Sequence, residues 1–303
     1  MIVRPRPHWL HLLFVRRGSL IHRIFTQQVF IFLLSIVVVL AHGQLFHWKV
    51  TLTSSAFSLM GVALAIFLGF RINASYDRYW EARKHWGAVL VVSRNLARKA
   101  ITMHSDLSVV RPFVLGLAGF SATMRNHLRG EHPSLGAEGL LPAGLLPTLA
   151  STCFGHQKVL LWLSEWVAEQ RRAGQLDTLQ SLHLEDSLDA LSMAVGSCER
   201  IASTPLPFSY SVILHRSAYL YCVLLPFGLV DVSGVMTPIV VTFVSYTFFA
   251  LEALSDEIEE PFGKASNDLA LDAMVRGIEI SMRELLGETP PPALLPDSDF
   301  ILT

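Results

Sequence analysis

The stretch from Gly61 to Gly87 limits the possible folds of this chain more than any other. Its first half, up to Phe70, carries no charge, whereas its second half contains six charged residues: Arg71, Asp77, Arg78, Glu81, Arg83 and Lys84. No proline and no cluster of turn residues separates the two halves. We therefore predict one continuous helix that leaves an apolar medium near Phe70 and continues into water.

The apolar half of this helix carries two stripes of residues spaced four apart. Residues at this spacing lie on one face of a helix. The stripe of small residues would let a neighbouring helix approach closely, and it consists of Gly61, Ala65 and Gly69. The stripe of large residues lies about 100° further round the axis, and it consists of Val62, Ile66 and Phe70. Periodicity alone predicts a core or lipid-facing surface for the large stripe.

The composition indicates a membrane protein with a soluble part. Of 303 residues, 51% are hydrophobic and 16% are charged, and the mean hydropathy is +0.44, whereas soluble domains average about 25% charged residues. The net charge of −1 gives no field that favours nucleic acid, so we expect no such partner. Cys153, Cys198 and Cys222 are scattered and show no disulfide framework or zinc spacing. We interpret them as buried or lipid-facing thiols.

Residues 1–27 are basic and are expected to form an interfacial segment ahead of the first membrane helix. Five arginines occur there without an acid, namely Arg4, Arg6, Arg16, Arg17 and Arg23, and the interleaved apolar residues include Trp9, Leu10, Leu12, Leu13 and Phe14. A signal peptide is the alternative, but the apolar run comes late and is followed by His42-Gly-Gln instead of a small-residue cleavage site.

Four membrane helices are predicted, at Gln28–Trp48, Ser54–Phe70, Ser209–Val230 and Gly234–Ala253. The first reaches the roughly 20 residues needed to span a bilayer only when Gly43–Trp48 is counted. The predicted organisation is 28–84 for the first membrane pair, 85–204 for a domain of three or four helices, 205–254 for the second membrane pair, and 255–303 for a C-terminal segment with a Pro-rich, poorly ordered tail.

The placement of Lys and Arg predicts the orientation. Basic residues precede the first membrane helix and follow the second, whereas the first connecting loop holds only Lys49 and the second holds none. The positive-inside rule then puts both termini and the middle domain in the cytosol. We expect a multi-pass protein of the inner (plasma) membrane.

No catalytic signature is present, so an enzyme is not expected. The twelve histidines are dispersed, and the chain has no His-Glu-x-x-His, no P-loop and no Gly-x-Ser-x-Gly. We predict neither a cofactor nor a metal centre. Asp256, Glu259 and Glu260 are a possible cation-binding cluster, because hard cations take several carboxylates. A solvated acidic helix end is the favoured alternative.

His215 and Arg216 form an unusual polar pair inside the third predicted membrane helix. A charge within a span usually faces the interior of a helix bundle or water. Alternatively, the two side chains reach the cytosolic membrane–water interface, as long polar side chains near helix ends do when they snorkel. The sequence favours neither alternative.

Three long blocks of this sequence resemble the bestrophin family in its bacterial branch. The first block is Phe70-Arg71-Ile72-Asn73-Ala74-Ser75-Tyr76-Asp77-Arg78-Tyr79-Trp80-Glu81-Ala82-Arg83-Lys84-His85-Trp86-Gly87. The second comprises 198–201, 204–211 and 214–216, and the third comprises 256–263 and 267–269. The blocks occur in the order typical of the family, and the resemblance covers the chain except its tail.

The resemblance implies an all-α ion channel that assembles as a homopentamer around one central pore. Carried over to this chain, the narrow hydrophobic neck of the pore consists of Val62, Ile66 and Phe70. The stripe of Gly61, Ala65 and Gly69 would then face a neighbouring helix. The expected permeant species are monovalent ions, with a preference for a cation such as sodium, as the bacterial members suggest. The alternative is a chloride-type anion channel of the same fold.

The chain departs from its animal relatives after Gly263, where they carry a run of acids that binds calcium. The residues here are Lys264-Ala265-Ser266-Asn267-Asp268, so calcium activation through such a clasp is not expected. A function of another class is the alternative to a channel. If the chain is a membrane-anchored sensor or adaptor, we expect no conductance and no dependence of its function on the neck stripe.

Overall fold

Helices account for nearly all regular structure in the computed structural model, which describes residues 1–4, 8, 10, 15, 18–45, 48–49 and 54–303. We number the helices α1 (Ile21–Leu40), α2 (Ser54–Met103), α3 (Leu107–Arg129), α4 (Leu146–Ala150), α5 (Gly155–Arg172), α6 (Thr178–Ser203), α7 (Phe208–Ser233), α8 (Thr237–Glu259) and α9 (Leu271–Leu285). A 3₁₀ turn, Gly234–Met236, joins α7 to α8. Within the described ranges, the paired strands are β1 (Gln44–Leu45) and β2 (Trp48–Lys49), which run antiparallel with Leu45 opposite Trp48. The prediction of an all-α chain is confirmed.

The long helix predicted through Gly87 is present and extends further. Helix α2 has 50 residues, from Ser54 to Met103, which corresponds to about 75 Å. Neither the charged residues after Phe70 nor the aromatic cluster there interrupts it. The helix continues because nothing in this stretch breaks a helix, and it ends shortly before Asp106, which caps the next helix through its side chain.

The first membrane helix was predicted too late in the chain. Helix α1 begins at Ile21, seven residues before Gln28, and ends at Leu40, where His42 and Gly43 take positive φ angles of 51° and 72°. Its 20 residues suffice to span a bilayer, so the Gly43–Trp48 segment is not needed for the span and instead contributes to the β1–β2 hairpin. From sequence, residues 21–27 were instead placed in the basic interfacial segment ahead of the helix.

Among the described residues, four helical segments have the length and mean hydropathy to cross a membrane: Ile21–Leu40, Phe57–Met103, Leu107–Arg129 and Phe208–Glu259. The last covers both α7 and α8. The third, helix α3, was not predicted to be a span. Of its apolar window, 72% is buried inside the structure, compared with 22–28% for the other three. This burial identifies α3 as a core helix, because its apolar surface is already covered by protein.

The chain forms two compact units, and the first comprises 1–5, 80–204 and 261–303. Its central element is α3, which packs against α5 and α9. The aromatic ring of Trp162 on α5 lies directly over Gly116, where an added Cβ would come within 2.4 Å of the ring. Helix α3 ends at Gly130, which has a φ of 64°, a conformation that favours glycine.

The second unit comprises 6–79 and 205–260. Helix α1 packs against α7 and α8, and α7 packs against α8. The core of this unit contains residues from all four of its helices, including Ile31, Phe57, Leu68, Tyr221 and Phe249. The outer surfaces of α1, α7 and α8 leave many large apolar side chains exposed, as is typical of lipid-facing helices: Phe25, Phe30, Leu33, Val37, Ile239 and Phe243.

The structure contradicts the expected disorder of the C-terminal tail. Main-chain hydrogen bonds join it to the start of the chain, from Val3 N to Phe300 O (2.9 Å) and from Leu302 N to Met1 O (2.8 Å). A third joins Ala273 N of α9 to Thr303 O (2.8 Å). Composition predicted disorder because a Pro-rich segment buries little by itself, but residues 300–303, which follow that segment, form hydrogen bonds with residues distant in sequence.

Part of the basic segment expected to lie at the membrane interface falls outside the described residues. This applies to Arg6, Trp9, Leu12, Leu13, Phe14, Arg16 and Arg17. The expectation for that segment stays a prediction.

Candidate pore-lining helix

Within the second unit, α2 has one buried face and one fully uncovered face. The buried face contains Phe57, Leu64, Leu68, Arg71 and Ser75. The large stripe lies on the opposite side of the helix, given about 100° per residue. Its side chains have exposed fractions of 58% for Val62, 52% for Ile66 and 60% for Phe70. The other helices of this unit therefore pack on one side of α2, and the predicted neck residues lie exposed on the other side.

The small stripe is covered by its own chain only at its start. Gly61 lies against Tyr221 of α7, where an added Cβ would come within 2.6 Å of the hydroxyl oxygen. Ala65 is exposed, and a Cβ at Gly69 would meet nothing within 4 Å. Gly61 thus permits a close approach within the chain, as expected for small residues. The packing partners predicted for Ala65 and Gly69 are not supplied by the described part of this chain.

The uncovered face of α2 turns polar directly after Phe70. Asn73 and Asp77 are exposed and lie at the same angular position as the large stripe. The two basic residues in this part of the helix point elsewhere: Arg71 is buried, and the Arg78 side chain donates from Nε to the Glu259 carbonyl oxygen (3.3 Å). The first ionisable group that follows the stripe on its own face is therefore a carboxylate.

Arg71 anchors the buried side of α2 to the C-terminal end of α8. Its side chain is 4% exposed, and its guanidinium pairs with Asp256 and, at 3.5 Å, with Glu259 Oε2. One turn further along, Ser75 Oγ and Ser255 Oγ are 2.9 Å apart. A buried cation is stable only when it is paired. The ion pair thus holds the helix in one rotational position, with the large stripe outward.

Glu259 also connects α7 to this cluster, since its Oε1 accepts a hydrogen bond from Leu206 N (3.0 Å), just before α7 begins. The acidic run predicted as a possible cation site therefore provides structural ion pairs. Asp256 and Glu259 both pair with the single guanidinium of Arg71, whereas Glu260 is exposed at the end of α8. Cation binding by these three residues stays a prediction, and the pairing with Arg71 is the interaction that the geometry shows.

His215 reaches a buried carboxylate on the neighbouring helix. Its Nδ1 lies 2.5 Å from Glu252 Oε1, and the Glu252 side chain is 7% exposed. The ring of His215 also packs on Tyr219, with 4.2 Å between ring centroids. Arg216 is exposed. His215, whose side chain is 56% exposed, thus pairs with a buried carboxylate of the helix bundle, and the choice between a bundle-facing and an interfacial position for the pair stays open.

The segment after Gly263 is closed by contacts within the first unit. Lys264 forms an ion pair with Glu131. Asp268 is buried, and its Oδ2 accepts a hydrogen bond from Ala265 N (2.7 Å). The residue directly after Gly263 is therefore a lysine held in an ion pair, and the carboxylate of Asp268 is engaged with the main chain.

We expect channel currents to show little dependence on calcium, because this segment lacks the several free carboxylates that a calcium site needs. The measurement is the current of purified protein in a planar bilayer, first with a calcium chelator and then with calcium at about 1–10 μM, the range of calcium sensors. Lys264→Ala is the control for the ion pair. Steep activation by micromolar calcium would contradict the prediction.

A group that the sequence did not suggest lies in the first unit. His127, His156 and Glu199 come from α3, α5 and α6, and their ligand atoms lie within 4.8 Å of one another. The sequence contains no signal for this cluster, because the three residues are 29 and 43 positions apart and match no ligand spacing. Only the packing of the three helices brings them together.

A sequence model described as "Bacterial/Fungal Bestrophin protein" matches residues 1–284. A voltage-dependent anion channel-forming protein of Ralstonia nicotianae is 44% identical over 291 residues, which is 95% of each chain. A protein of the same description from Escherichia coli K12 is 43% identical over the full length of both chains. A bacterial bestrophin homologue from Klebsiella pneumoniae, solved by zinc SAD phasing, has a TM-score of 0.85 and 37% identity, covering 88% of this chain and 100% of that chain.

Together, the helical membrane fold, the uncovered apolar face of α2 and these relatives define the class of protein: a multi-pass membrane ion channel, not an enzyme. Within this class, the chain belongs to the bestrophin family, in its bacterial and fungal branch. The resemblance of the three sequence blocks is thereby confirmed.

Proposed function

We propose that this chain forms a homopentamer that passes monovalent ions passively through a central pore whose neck consists of Val62, Ile66 and Phe70. The observation that carries the proposal is the uncovered large stripe on α2, which its own chain leaves outward opposite a tightly held buried face. A stripe of three large apolar side chains can face lipid or another subunit, and the channel family to which the chain belongs favours the second, with five copies arranged around one axis. Such a ring closes by a heterologous interface in which every subunit contributes the same surfaces.

In this arrangement, each neck residue forms a ring of five apolar side chains. A narrow apolar ring opposes ion passage because water leaves it and an ion has to shed its hydration shell there. The neck then acts as the gate, and the charges at its ends influence which ions enter. Ala65 and Gly69, which have no partner within the described chain, would lie against the α2 helix or another helix of the adjacent subunit.

Anions are the first candidate for the permeant species. The support comes from the relatives, since those from Ralstonia nicotianae and Escherichia coli are described as voltage-dependent anion channel-forming proteins. The preference for sodium expected from the resemblance receives no support from these descriptions.

A cation such as sodium is the second candidate, and a specific feature favours it. Asp77 is the first ionisable residue on the neck face after Phe70 and is exposed. Five such carboxylates at one end of the neck would concentrate cations and repel anions. The two candidates share the fold and the neck and differ only in the sign of the ion.

We further propose that the protein lies in the inner (plasma) membrane with both termini in the cytosol. The support is the distribution of basic residues, which are numerous before α1 and after Phe70 and nearly absent from the short connections between α1 and α2 and between α7 and α8. Helices α1, α7, α8 and the first part of α2 would contact lipid or one another.

A reversal potential measured across a sodium chloride gradient in a planar bilayer tests both candidates. An anion channel should shift the reversal potential toward the chloride equilibrium potential, and a cation channel should shift it toward that of sodium. Asp77→Asn distinguishes the two candidates further. In a cation channel the substitution should weaken the preference for cations, whereas in an anion channel whose selectivity is set by the neck the preference for anions should not change. Asn95→Asp, a change at an exposed site farther along α2, serves as the control for charge changes in general.

The same preparation tests the class of function. Absence of current from intact pentamers, both in the native chain and in Ile66→Ala, would contradict the channel proposal and favour a membrane-anchored sensor or adaptor. Mass photometry of the detergent-solubilised protein would establish the number of subunits, and any value other than five would contradict the pentamer.

A further inference from the structure

The histidine–glutamate cluster of the first unit joins the ends of three helices. His127 lies in the last turn of α3, His156 in the first turn of α5, and Glu199 about one turn before the end of α6. The Nε2 atoms of both histidines lie 3.1 Å from the same carboxylate oxygen, Glu199 Oε1. The imidazole rings themselves are close, with 4.5 Å between their centroids. Three potential ligand atoms thus lie within 4.8 Å of one another.

The buried members of this cluster lack ordinary hydrogen-bond partners. The side chain of His156 has no exposed surface, and neither of its ring nitrogens makes a hydrogen bond with acceptable geometry. Glu199 Oε1 is likewise buried without a hydrogen-bond donor. We therefore interpret the 3.1 Å distance between His156 Nε2 and Glu199 Oε1 as a contact between two atoms whose lone pairs point toward each other, and not as a hydrogen bond. Buried polar groups are rarely left in this state, and a bound cation is one way to satisfy all three.

We propose that His127, His156 and Glu199 bind one divalent transition-metal ion of the zinc class. Two ligands that each lie about 2.0–2.1 Å from a tetrahedral zinc ion are roughly 3.3–3.4 Å from each other, close to the two observed distances of 3.1 Å. Two imidazole nitrogens and one carboxylate oxygen favour zinc, cobalt, nickel or copper over calcium and magnesium, which prefer oxygen ligands.

Two members of the cluster, His127 and Glu199, face an open pocket. A pocket of about 400 Å³ adjoins the cluster and is lined by Phe154, Ala202 and Ser203 in addition to His127 and Glu199. It has room for a water molecule as the fourth ligand and provides a path by which the ion enters. The bound ion would cross-link α3, α5 and α6, so that its binding energy adds to the stability of the folded unit.

Zinc titration of the full-length, chelator-treated protein in detergent tests the proposal by isothermal calorimetry. We expect one zinc ion per chain and a rise in the unfolding temperature on binding. His127→Gln, His156→Gln and Glu199→Gln should each weaken zinc binding at least about 100-fold, since loss of even an outer partner of a ligand typically costs 10–100-fold. Cobalt substitution should give the visible absorption of a tetrahedral site in the native chain and not in these variants.

His183→Gln is the matched control, because His183 is an exposed histidine on α6 outside the cluster. The zinc affinity of the His183→Gln variant should equal that of the native chain. His127→Gln is the decisive variant, since the His127 side chain is partly exposed and its replacement leaves the buried His156 in place. Absence of zinc binding by the native chain, or equal affinity in the native chain and His127→Gln, would overturn the proposal.

Discussion

Replacement of Ile66 or Phe70 by alanine is expected to raise the open probability or the single-channel conductance several-fold. Each substitution would remove five large side chains from the neck at once, widening the ring and making it easier to wet. A tenfold rise in the open population corresponds to about 1.4 kcal/mol, a modest share of what five truncated apolar side chains contribute. Single-channel recording in planar bilayers measures both quantities.

Phe67→Ala is the matched control for the neck. Phe67 belongs to the same helix and is exposed to a similar extent, at 52% compared with 60% for Phe70, but it points about 100° away from Ile66. Its truncation should leave the currents unchanged. Equal currents in the native chain, Ile66→Ala and Phe70→Ala would remove the neck assignment, and an equal increase in Phe67→Ala would show that the effect is not specific to the stripe.

Replacement of Arg71 by methionine is expected to destabilise the protein by about 3–5 kcal/mol, the usual cost of removing one member of a buried ion pair. The change would leave Glu259, whose side chain is 13% exposed, without its cationic partner. It would also release the contact that sets the rotation of α2. Chemical unfolding in detergent, followed by circular dichroism, measures the free-energy difference.

The partners of Arg71 provide a graded series of controls. Asp256→Asn should cost less than Arg71→Met, because the Asp256 side chain is 55% exposed and water can replace part of the interaction. Combining Arg71→Met with Glu259→Gln should recover part of the loss, since the buried charge is then removed as well. Arg83→Met, at an exposed site of the same helix, should change stability by no more than about 0.5 kcal/mol. A loss for Arg71→Met no greater than for Arg83→Met would contradict the anchor role.

The strongest sequence-based prediction was the long helix that contains the neck stripe. Its continuity followed from local properties, namely the absence of helix-breaking residues and the change from apolar to charged side chains near Phe70. Local properties also indicated the helical domain in the middle of the chain and the two membrane helices after Pro207. These features depend on neighbours within a few residues, which a single sequence displays directly.

The errors concern features that depend on distant parts of the chain. Residues 21–27 belong to α1 although they include Arg23, whose guanidinium lies 3.8 Å from the Glu257 carboxylate of α8, a partner distant in sequence. The tail is ordered because residues at the start of the chain complete its hydrogen bonds. Helix α3 was not predicted as an apolar segment of span length, and only its burial distinguishes it from a membrane helix.

The sequence by itself determined the helical membrane class, the family and the pattern of large and small stripes on α2, because periodicity and local blocks carry that information. The tertiary structure alone decided which way the stripes face, since the Arg71 ion pair and the packing of Phe57, Leu64 and Leu68 set the rotation of the helix. It also decided the assembly of His127, His156 and Glu199. Groups far apart in the chain come together only through the packing of separate helices. The free energy of that packing depends on several segments at once and cannot be inferred from the sequence of one of them.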